Sequence, residues 1–241
     1  LETEAKDFRG EYAGRLADLS GSQLGAAVRV YEALEERLGR LMSYAQLVYA
    51  GDMGEGANGK FYQSAQEAAT RISSELLFFT LELNRLEEAE LERKLEAPEL
   101  ARYRPWLRDL RAFRPHQLAD DVEKLLHEKQ LSSKSAWVRL FDETMAALRF
   151  PLDGEELTNS EILNRMSDRD PGVRERAAKA FGQVLADNRR LFALITNTLA
   201  KDKAIEDEWR GFARPVSARN LANFVEDEVV DALVDAVVEA Y

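Results

Sequence analysis

The chain has 241 residues, of which 45% are hydrophobic and 32% are charged, a composition typical of a soluble, strongly helical protein with one large domain or two small ones. Its formal net charge of −11 disfavours nucleic acid and anionic membranes as partners, because binding to both depends on clustered lysine and arginine. The absence of cysteine excludes a disulfide framework, a thiolate nucleophile and a cysteine-ligated zinc site, and it fits a reducing compartment.

Two helices are predicted at the start of the chain. Apolar residues spaced by three or four positions indicate a helix from Thr3 to Leu19, which Gly21 should end. A second helix, capped by Ser22, should run to about Ala50 with an apolar stripe on one face. The charged first residues do not resemble a signal peptide, and no apolar run is long enough to span a bilayer.

A glycine-rich loop is predicted at residues 51–59, GDMGEGANG. Glycine-rich loops can hold phosphate groups, but this one lacks the Gly-Lys-Ser/Thr ending and follows no predicted strand. We therefore interpret it as a connection between helices. Asn58 or Gly59 should then open a helix to about Arg85, which is apolar on most sides and so is expected to be buried.

Prolines divide the next part of the chain. A short charged helix from Glu87 to Leu95 is followed by a helix that begins at Pro98 and that Pro105 should kink or divide, because proline lacks the backbone donor. The arginines of this part form a basic patch. Pairing of these arginines with acidic helices is favoured over a ligand site.

The central part of the chain carries the clearest turn of the sequence. A helix is predicted at residues 118–131, and a second helix, capped by Ser132 or Ser133, leads to a β-hairpin near Leu148–Leu157. The predicted fold class is therefore all-α, a multi-helical bundle with one small β-hairpin.

The register of this hairpin follows from its turn. Asp153-Gly154 favours a two-residue turn in which both residues have positive φ. That turn sets Leu152 opposite Glu155 and Phe150 opposite Leu157. One apolar cross-strand pair is then left to pack on the helices.

Helical signals dominate the C-terminal third. A short helix should begin at Thr158, and Asp170-Pro171 is a strong helix start, with the aspartate as N-cap and the proline at the first helical position. The apolar pattern then continues through Asn188 to Trp209, and Gly211 should end it.

The last predicted helix, Val225 to Tyr241, follows an irregular and basic segment, RGFARPVSARN. It is amphipathic and has neither a C-cap glycine nor a basic final turn. Because the pattern is still in phase at the last residue, we expect the polypeptide to continue. We also expect an exposed apolar surface where the rest of the protein docks.

The sequence contains no complete catalytic or metal-binding motif. His127-Glu128 begins like the zinc-peptidase motif His-Glu-x-x-His, but Leu131 occupies the position of the second histidine. His116 is the other histidine, and neither histidine follows a glutamate by three positions, as in di-iron bundles. We therefore predict no catalytic residue and no metal ligand in this chain.

Two long blocks of the sequence resemble one enzyme family. The first is LLHEK followed by SAWVRLFDETMAALRFPLDGEELT, and the second is RLFALITNTLAKDKAIEDEWRGF followed by RPVSARNLANFVEDEVVDALV. Both are similar to the N-terminal part of the oligoendopeptidase F family, which are thimet-oligopeptidase-like zinc metallopeptidases. The resemblance covers nearly the whole chain.

The resemblance implies a mostly helical enzyme with two halves around a deep channel that admits short, unstructured peptides. In this family a His-Glu-x-x-His helix and a later glutamate hold zinc, and that helix lies beyond the last residue of this chain. Residues 1–115 would form an N-terminal helical lobe and residues 116–186 an oligopeptidase F N-terminal-type subdomain with the hairpin. Residues 187–241 would be the first helices leading toward the catalytic zinc domain.

Two functions are compatible with these observations. In the first, the chain is the N-terminal part of a cytoplasmic zinc oligoendopeptidase. It forms one wall of the substrate channel, binds no zinc itself, and has short peptides and the C-terminal catalytic half as partners. Trp209, Arg210, Arg219 and Asn223 are then candidates for channel-facing residues, with capping and packing as the alternative role for each. In the second, the chain is a standalone helical scaffold that binds partner helices.

Overall fold

The computed structural model describes residues 1–241 and is helical apart from one antiparallel hairpin, so the predicted fold class is confirmed. In chain order, the α-helices are α1 (Glu2–Tyr12), α2 (Gly21–Gly51), α3 (Gly56–Arg85), α4 (Glu88–Leu95), α5 (Arg104–Ala112), α6 (Asp120–Lys129), α7 (Lys134–Ala147), α8 (Asn159–Arg165), α9 (Pro171–Asp187), α10 (Arg189–Arg210), α11 (Ser217–Ala222) and α12 (Asp227–Ala240). Two 3-10 helices, Pro98–Tyr103 and Arg114–His116, flank α5, and the strands are β1 (Phe150–Leu152) and β2 (Glu155–Leu157). None of the helices has the length and apolar character that crossing a bilayer requires.

The chain forms two compact units, and both are discontinuous in sequence. Unit 1 comprises residues 1–43, 65–129 and 203–241, and unit 2 comprises residues 44–64 and 130–202. The helices α2, α3 and α10 each contribute residues to both units. The contiguous segments predicted from the resemblance end at residues 115 and 186, which are not boundaries of these units. Those segments stay a prediction about the family architecture.

Unit 1 has a hydrophobic core built on the predicted stripes of α2 and α3. On α2, Leu24, Val28 and Leu34 are almost fully buried, and on α3 so are Leu76 and Phe79. Fully burying a side chain of this size contributes roughly 1.5–3 kcal/mol. The helical spacing of apolar residues therefore identified most of the buried face of both helices. Leu41 of α2 and Phe61 of α3 follow the same spacing but are 37% and 40% exposed.

The N-terminal helix is shorter than predicted. It ends at Tyr12, because Gly14 takes a left-handed φ of 75° and its N–H donates to the Glu82 carboxylate (2.7 Å) instead of continuing the helix. Leu16, which the periodicity placed on the same helix, reaches the core from the turn that follows. The apolar spacing therefore predicted the burial of Leu16 correctly, but the predicted length of the helix was wrong.

The start of α2 also corrects the prediction. Gly21 is the first residue of α2 and not a breaker, and Ser20 rather than Ser22 caps the helix. The Ser20 hydroxyl accepts from the Gln23 N–H (3.2 Å), and the Gln23 side-chain oxygen accepts from the Ser20 N–H (2.9 Å), which is a reciprocal capping box.

The predicted glycine-rich loop is shorter than its composition suggested. Helix α2 extends to Gly51 and α3 begins at Gly56, so four residues lie between the two helices. Glu55 precedes α3 and its carboxylate accepts from the Ala57 N–H (3.2 Å), which satisfies a donor at the helix start. In unit 2 the flanking turns of the two helices pack together through the stacked rings of Tyr49 and Tyr62 (4.9 Å).

The hairpin of unit 2 has the predicted register, with Phe150 opposite Leu157 and Leu152 opposite Glu155. The turn residues Asp153 and Gly154 have φ values of 52° and 90°, as the Asp-Gly signal predicts.

The predicted apolar cross-strand pair of this hairpin packs on helices. Phe150 and Leu157 join one hydrophobic cluster with Ile162 of α8 and Ala177 of α9, and the Phe150 ring stacks on Phe181 (5.3 Å). The hairpin is therefore held by the small core of unit 2.

Helix boundaries in the C-terminal third follow the capping residues. Thr158 forms a capping box with Glu161 before α8, and the Asp170 carboxylate accepts from the Gly172 N–H (2.8 Å) at the start of α9. The continuous helix predicted through Asn188 is wrong, because α9 ends there and the Asn188 amide donates to the Val184 carbonyl (2.9 Å). The segment predicted as irregular contains α11, so that expectation is also corrected.

Candidate functional site

The four sequence-predicted channel candidates lie in unit 1, where α10 ends and the chain turns into α11. The end of α10 is a Schellman motif: the Phe212 N–H donates to the Asp207 carbonyl (2.9 Å) and the Gly211 N–H to the Glu208 carbonyl (3.2 Å). Gly211 has a left-handed φ of 73°, which explains the glycine at this position. The motif fixes the direction in which the chain leaves Trp209 and Arg210.

Arg210 links α10 to α6 through charged hydrogen bonds. Its guanidinium donates to both carboxylate oxygens of Glu123 (2.7 and 3.0 Å), to Glu206 (2.8 Å) and to the carbonyl of His116 (3.1 Å). The side chains of Arg210 and Glu123 are 19% and 12% exposed, so the pair is largely withdrawn from solvent. Each nitrogen of the guanidinium therefore has a partner within the chain, and Arg210 holds two helices together.

The electrostatics of this pair reflect the close contact. Burial raises the pKa of the Glu123 carboxyl, but the Arg210 guanidinium and the N–H of Leu118 (2.8 Å) outweigh it, so this pKa lies below its ordinary value. The pKa of Arg210 is raised, chiefly because its hydrogen bond to Glu123 favours the charged form. Both groups are charged at neutral pH.

His116 completes this junction. Its Nδ1 lies 2.8 Å from the carbonyl oxygen of Arg210, and its ring stacks on Phe212 with centroids 3.8 Å apart. The first histidine of the chain is therefore engaged in packing the end of α10. Sequence reasoning gave no signal for this contact, since the two residues are 94 positions apart.

The other three candidates differ in their surroundings. Trp209 is 64% exposed, and Arg219 is exposed on α11. Asn223 follows α11 and its amide donates to the Arg219 carbonyl (2.9 Å), which is a capping contact. Trp209, Arg219 and Asn223 are therefore all exposed, and Asn223 differs from the other two in that its amide is used in the capping contact.

The turn from α11 into α12 is fixed by polar contacts that sequence reasoning missed. The Asp227 carboxylate accepts from the Ser217 hydroxyl (2.6 Å) and from the buried Asn220 amide (2.8 Å), and these hydrogen bonds lower the pKa of Asp227. Arg214 forms a bidentate pair with Asp231 (2.7 and 2.8 Å). These contacts set the direction of α12.

The second histidine forms a serine contact that was not predicted. His127 Nε2 lies 2.7 Å from the Ser73 hydroxyl of α3, and the same hydroxyl donates to the Ala69 carbonyl (2.8 Å). Burial lowers the pKa of His127 and so favours the neutral imidazole. The contact joins α3 to α6.

The chain does not provide the donor set that zinc requires. No group of three or more histidine, aspartate or glutamate side chains is placed to hold a metal ion. His116 and His127 are engaged separately, and Glu128, the second residue of the incomplete motif, is about half exposed beside Lys124. The zinc implied by the resemblance therefore does not fit the residues of this chain.

Sequence relatives of this chain are oligopeptidases. The family model described as Oligopeptidase F matches residues 82–150. The chain is 29% identical over 244 residues to Oligopeptidase PepF of Bacillus subtilis, with 94% of this chain and 35% of that protein covered. It is 25% identical to Group B oligopeptidase PepB of Streptococcus agalactiae, with 98% and 40% covered.

This chain is similar in sequence to oligoendopeptidase F proteins along nearly its whole length. The resemblance inferred from the two sequence blocks is thereby confirmed. The chain spans well under half the length of the curated relatives it matches, 35% and 40% in these two cases.

The fold matches solved structures of the same kind. The crystal structure of oligoendopeptidase-F from Enterococcus faecium superposes with a TM-score of 0.86 at 24% identity and covers 98% of this chain and 48% of that one. A putative peptidase from Chlamydophila abortus superposes with a TM-score of 0.62 at 20% identity and covers 92% and 38%. The helical architecture with its single hairpin therefore occurs within longer chains.

Proposed function

We propose that this chain is the N-terminal part of a zinc-dependent oligoendopeptidase that cleaves short peptides, and that it forms one wall of the substrate channel. The supporting observation is the similarity to oligopeptidases over 94% and 98% of the chain. In this proposal zinc and the catalytic residues lie on the C-terminal half of the longer protein. The chain itself contributes shape and peptide contacts and performs no hydrolysis, and the longer protein is cytoplasmic.

Trp209 and Arg219 are the proposed peptide contacts, because both are exposed at the junction of α10 and α11. An indole offers a flat apolar surface to any peptide side chain, and a guanidinium attracts carboxylates and peptide carbonyl groups. Arg210 and Asn223 hold these two residues in position, since the first joins α10 to α6 and the second, itself exposed, donates to the Arg219 carbonyl at the end of α11.

The exposed apolar face of α12 supports docking of a further part of the protein. Leu233 and Val238 are 65% and 72% exposed, and Val229, Val234 and Val237 are also exposed. A contiguous apolar patch on a helix usually marks an interaction site. We propose that the C-terminal half packs on this face.

The test uses the longer polypeptide encoded by the same gene. That polypeptide should contain a His-Glu-x-x-His motif and hydrolyse a quenched fluorescent peptide of about eight residues, and a zinc chelator should abolish the activity until zinc is restored. The 241-residue chain should show no hydrolysis under the same conditions. A stop codon directly after Tyr241, or hydrolysis by the metal-free 241-residue chain, would overturn the proposal.

The alternative function is a standalone helical scaffold that binds partner helices, and the exposed face of α12 is also what such a protein needs. The point at which the reading frame of the gene ends distinguishes the two proposed functions. A scaffold requires the frame to end near Tyr241, and its α12 face should capture an amphipathic helix. A frame that continues to the zinc motif excludes it.

A further inference from the structure

A cleft of about 700 Å³ lies within unit 1, between α2 and the segment that runs from the 3-10 helix Pro98–Tyr103 into α5. Three glutamates of α2 line it together with the aromatic side chains of Tyr31, Tyr103 and Trp106. Glu32, Glu35 and Glu36 are spaced by three and four positions, so α2 presents them on neighbouring faces. The cleft therefore combines negative charge with aromatic surface.

One guanidinium of the chain is already bound at the rim of this cleft. Arg102 forms an ion pair with Glu32 and lies over the ring of Tyr103, 4.6 Å from its centroid. The Tyr103 hydroxyl also donates to Glu32 (2.7 Å). A carboxylate and an aromatic ring thus hold an arginine side chain at this position, as cation–π and charged hydrogen bonds do in general.

The inner part of the cleft has the same chemistry without a cation of this chain. The Glu35 side chain is half-buried, and its carboxylate forms no hydrogen bond or ion pair, whereas Glu36 pairs with Arg40 (2.7 Å). Glu35 follows Tyr31 by one helical turn, and the ring of Tyr31 lies 5.9 Å from that of Trp106. This burial removes water from the carboxylate and so raises the pKa of Glu35.

We infer that this cleft binds the guanidinium group of an arginine side chain in a peptide, with the Glu35 carboxylate accepting its N–H donors beside the rings of Tyr31 and Trp106. A planar guanidinium both pairs with a carboxylate and stacks on aromatic rings, whereas a hard metal cation needs several oxygen ligands and Glu35 is the one unpaired carboxylate in the cleft. This site is independent of the proposed hydrolysis.

The experiment measures binding of a blocked tripeptide, acetyl-Gly-Arg-Gly-amide, to the 241-residue chain by calorimetry and by the NMR signal of the Trp106 indole N–H. The peptide should bind and shift this signal. The same peptide with citrulline, which keeps the shape and removes the charge, should bind at least about tenfold more weakly. Free agmatine carries the same guanidinium, so equal binding of agmatine shows that the group alone suffices, and weaker binding shows that the peptide backbone adds contacts.

Matched variants locate the site. Glu35→Gln should weaken binding of the arginine peptide about tenfold, and Trp106→Leu should weaken it about threefold or more. Glu36→Gln removes the same charge from the adjacent position, which is exposed and already paired, and should change the affinity less than about twofold. Circular dichroism confirms that each variant is folded. Equal losses in the two glutamate variants would indicate general attraction to an acidic surface, and that result, or equal binding of the citrulline peptide, would overturn the inference.

Discussion

Arg210 connects three parts of unit 1: the end of α10, the first half of α6 and the backbone at His116. Arginine can make this connection because its planar guanidinium donates to both oxygens of one carboxylate and to two further acceptors at once. A buried charge that loses its partner is costly, whereas an exposed pair contributes little. Glu123 and Glu128 both lie on α6, the first in a largely buried pair and the second in an exposed one, so the two glutamates make a matched comparison.

Glu123→Gln should lower the free energy of unfolding by about 2 kcal/mol, because Arg210 keeps Glu206 but loses its bidentate partner. Glu128→Gln on the same helix should change it by less than about 0.5 kcal/mol, since that side chain is about half exposed and its ion pair with Lys124 spans 3.8 Å. Urea unfolding followed by circular dichroism measures both. Equal effects would mean that the Arg210 pair does not stabilise the fold.

The contribution of Glu123 should also depend on pH. Its pKa is lowered in the folded state, so its stabilisation is present above the unfolded-state pKa of about 4.3 and is lost as the pH falls through the folded-state pKa. The difference in unfolding free energy between the wild type and Glu123→Gln should therefore be constant near neutral pH and shrink below about pH 4. A difference that stays unchanged at acidic pH would contradict this assignment.

At the scale of elements, two glycines allow α2 to approach α4 and the 3-10 helix Pro98–Tyr103. A Cβ on Gly21 would lie 2.7 Å from the Ala97 Cβ, and one on Gly25 would lie 2.6 Å from the Glu99 Cβ. Gly39 lies on the same helix, and a Cβ added there would meet no atom within 4 Å. At Gly21 and Gly25, helix propensity therefore favours alanine over glycine, whereas close packing favours glycine.

Gly25→Ala should lower the free energy of unfolding by about 1–3 kcal/mol, because the overlap with Glu99 outweighs the gain in helix propensity. Gly39→Ala should raise it by about 0.5–1 kcal/mol, since alanine restricts the unfolded chain and meets no neighbour. Chemical denaturation of both variants tests the pair. An increase in the free energy of unfolding for both variants would show that α2 does not need the close approach at Gly25.

The hairpin of unit 2 gives a second test. Gly154 has a φ of 90°, so Gly154→Ala should cost about 1–2 kcal/mol of unfolding free energy. Gly182 lies within α9 with open space around its Cβ position, and Gly182→Ala should stabilise by up to about 1 kcal/mol. Differential scanning calorimetry should show opposite shifts of the melting temperature. A neutral Gly154→Ala would mean that the turn can change its conformation without loss.

At the scale of the whole molecule, the exposed face of α12 distinguishes an isolated chain from part of a longer one. Leu233→Asp should change the unfolding free energy of the 241-residue chain by less than about 0.5 kcal/mol, because Leu233 is 65% exposed. In the longer polypeptide the same substitution should cost about 2 kcal/mol or more, since the side chain would be buried against the C-terminal half.

The control for this comparison is Leu125→Asp on α6, where the leucine is 55% exposed outside the α12 face. It should have a small effect in both lengths of chain. Thermal unfolding of the four variant proteins and of the two wild-type chains provides the measurement. If Leu233→Asp has the same small effect in the longer polypeptide, the C-terminal half does not pack on α12.

The sequence by itself determined the features that depend on a few neighbouring residues. The Asp153-Gly154 turn fixed the hairpin register, Thr158 and Asp170 fixed two helix starts, and the three-to-four spacing on α2 and α3 identified the buried faces. The family resemblance was visible in the same way, because its two blocks are continuous along the chain. Local propensity and periodicity act over one or two helical turns, so a linear sequence displays them.

The tertiary structure alone decided which distant residues meet. Arg210 and Glu123 are 87 positions apart, and Ser73 and His127 are 54 apart, so no spacing rule relates them. Glu35 resembles its neighbours in sequence, and only the packing of α2 beside Trp106 leaves its carboxylate half-buried and unpaired. The burial and the pairing of a side chain depend on the positions of all the elements around it. These elements come from distant parts of the chain, so no local stretch of sequence determines the outcome.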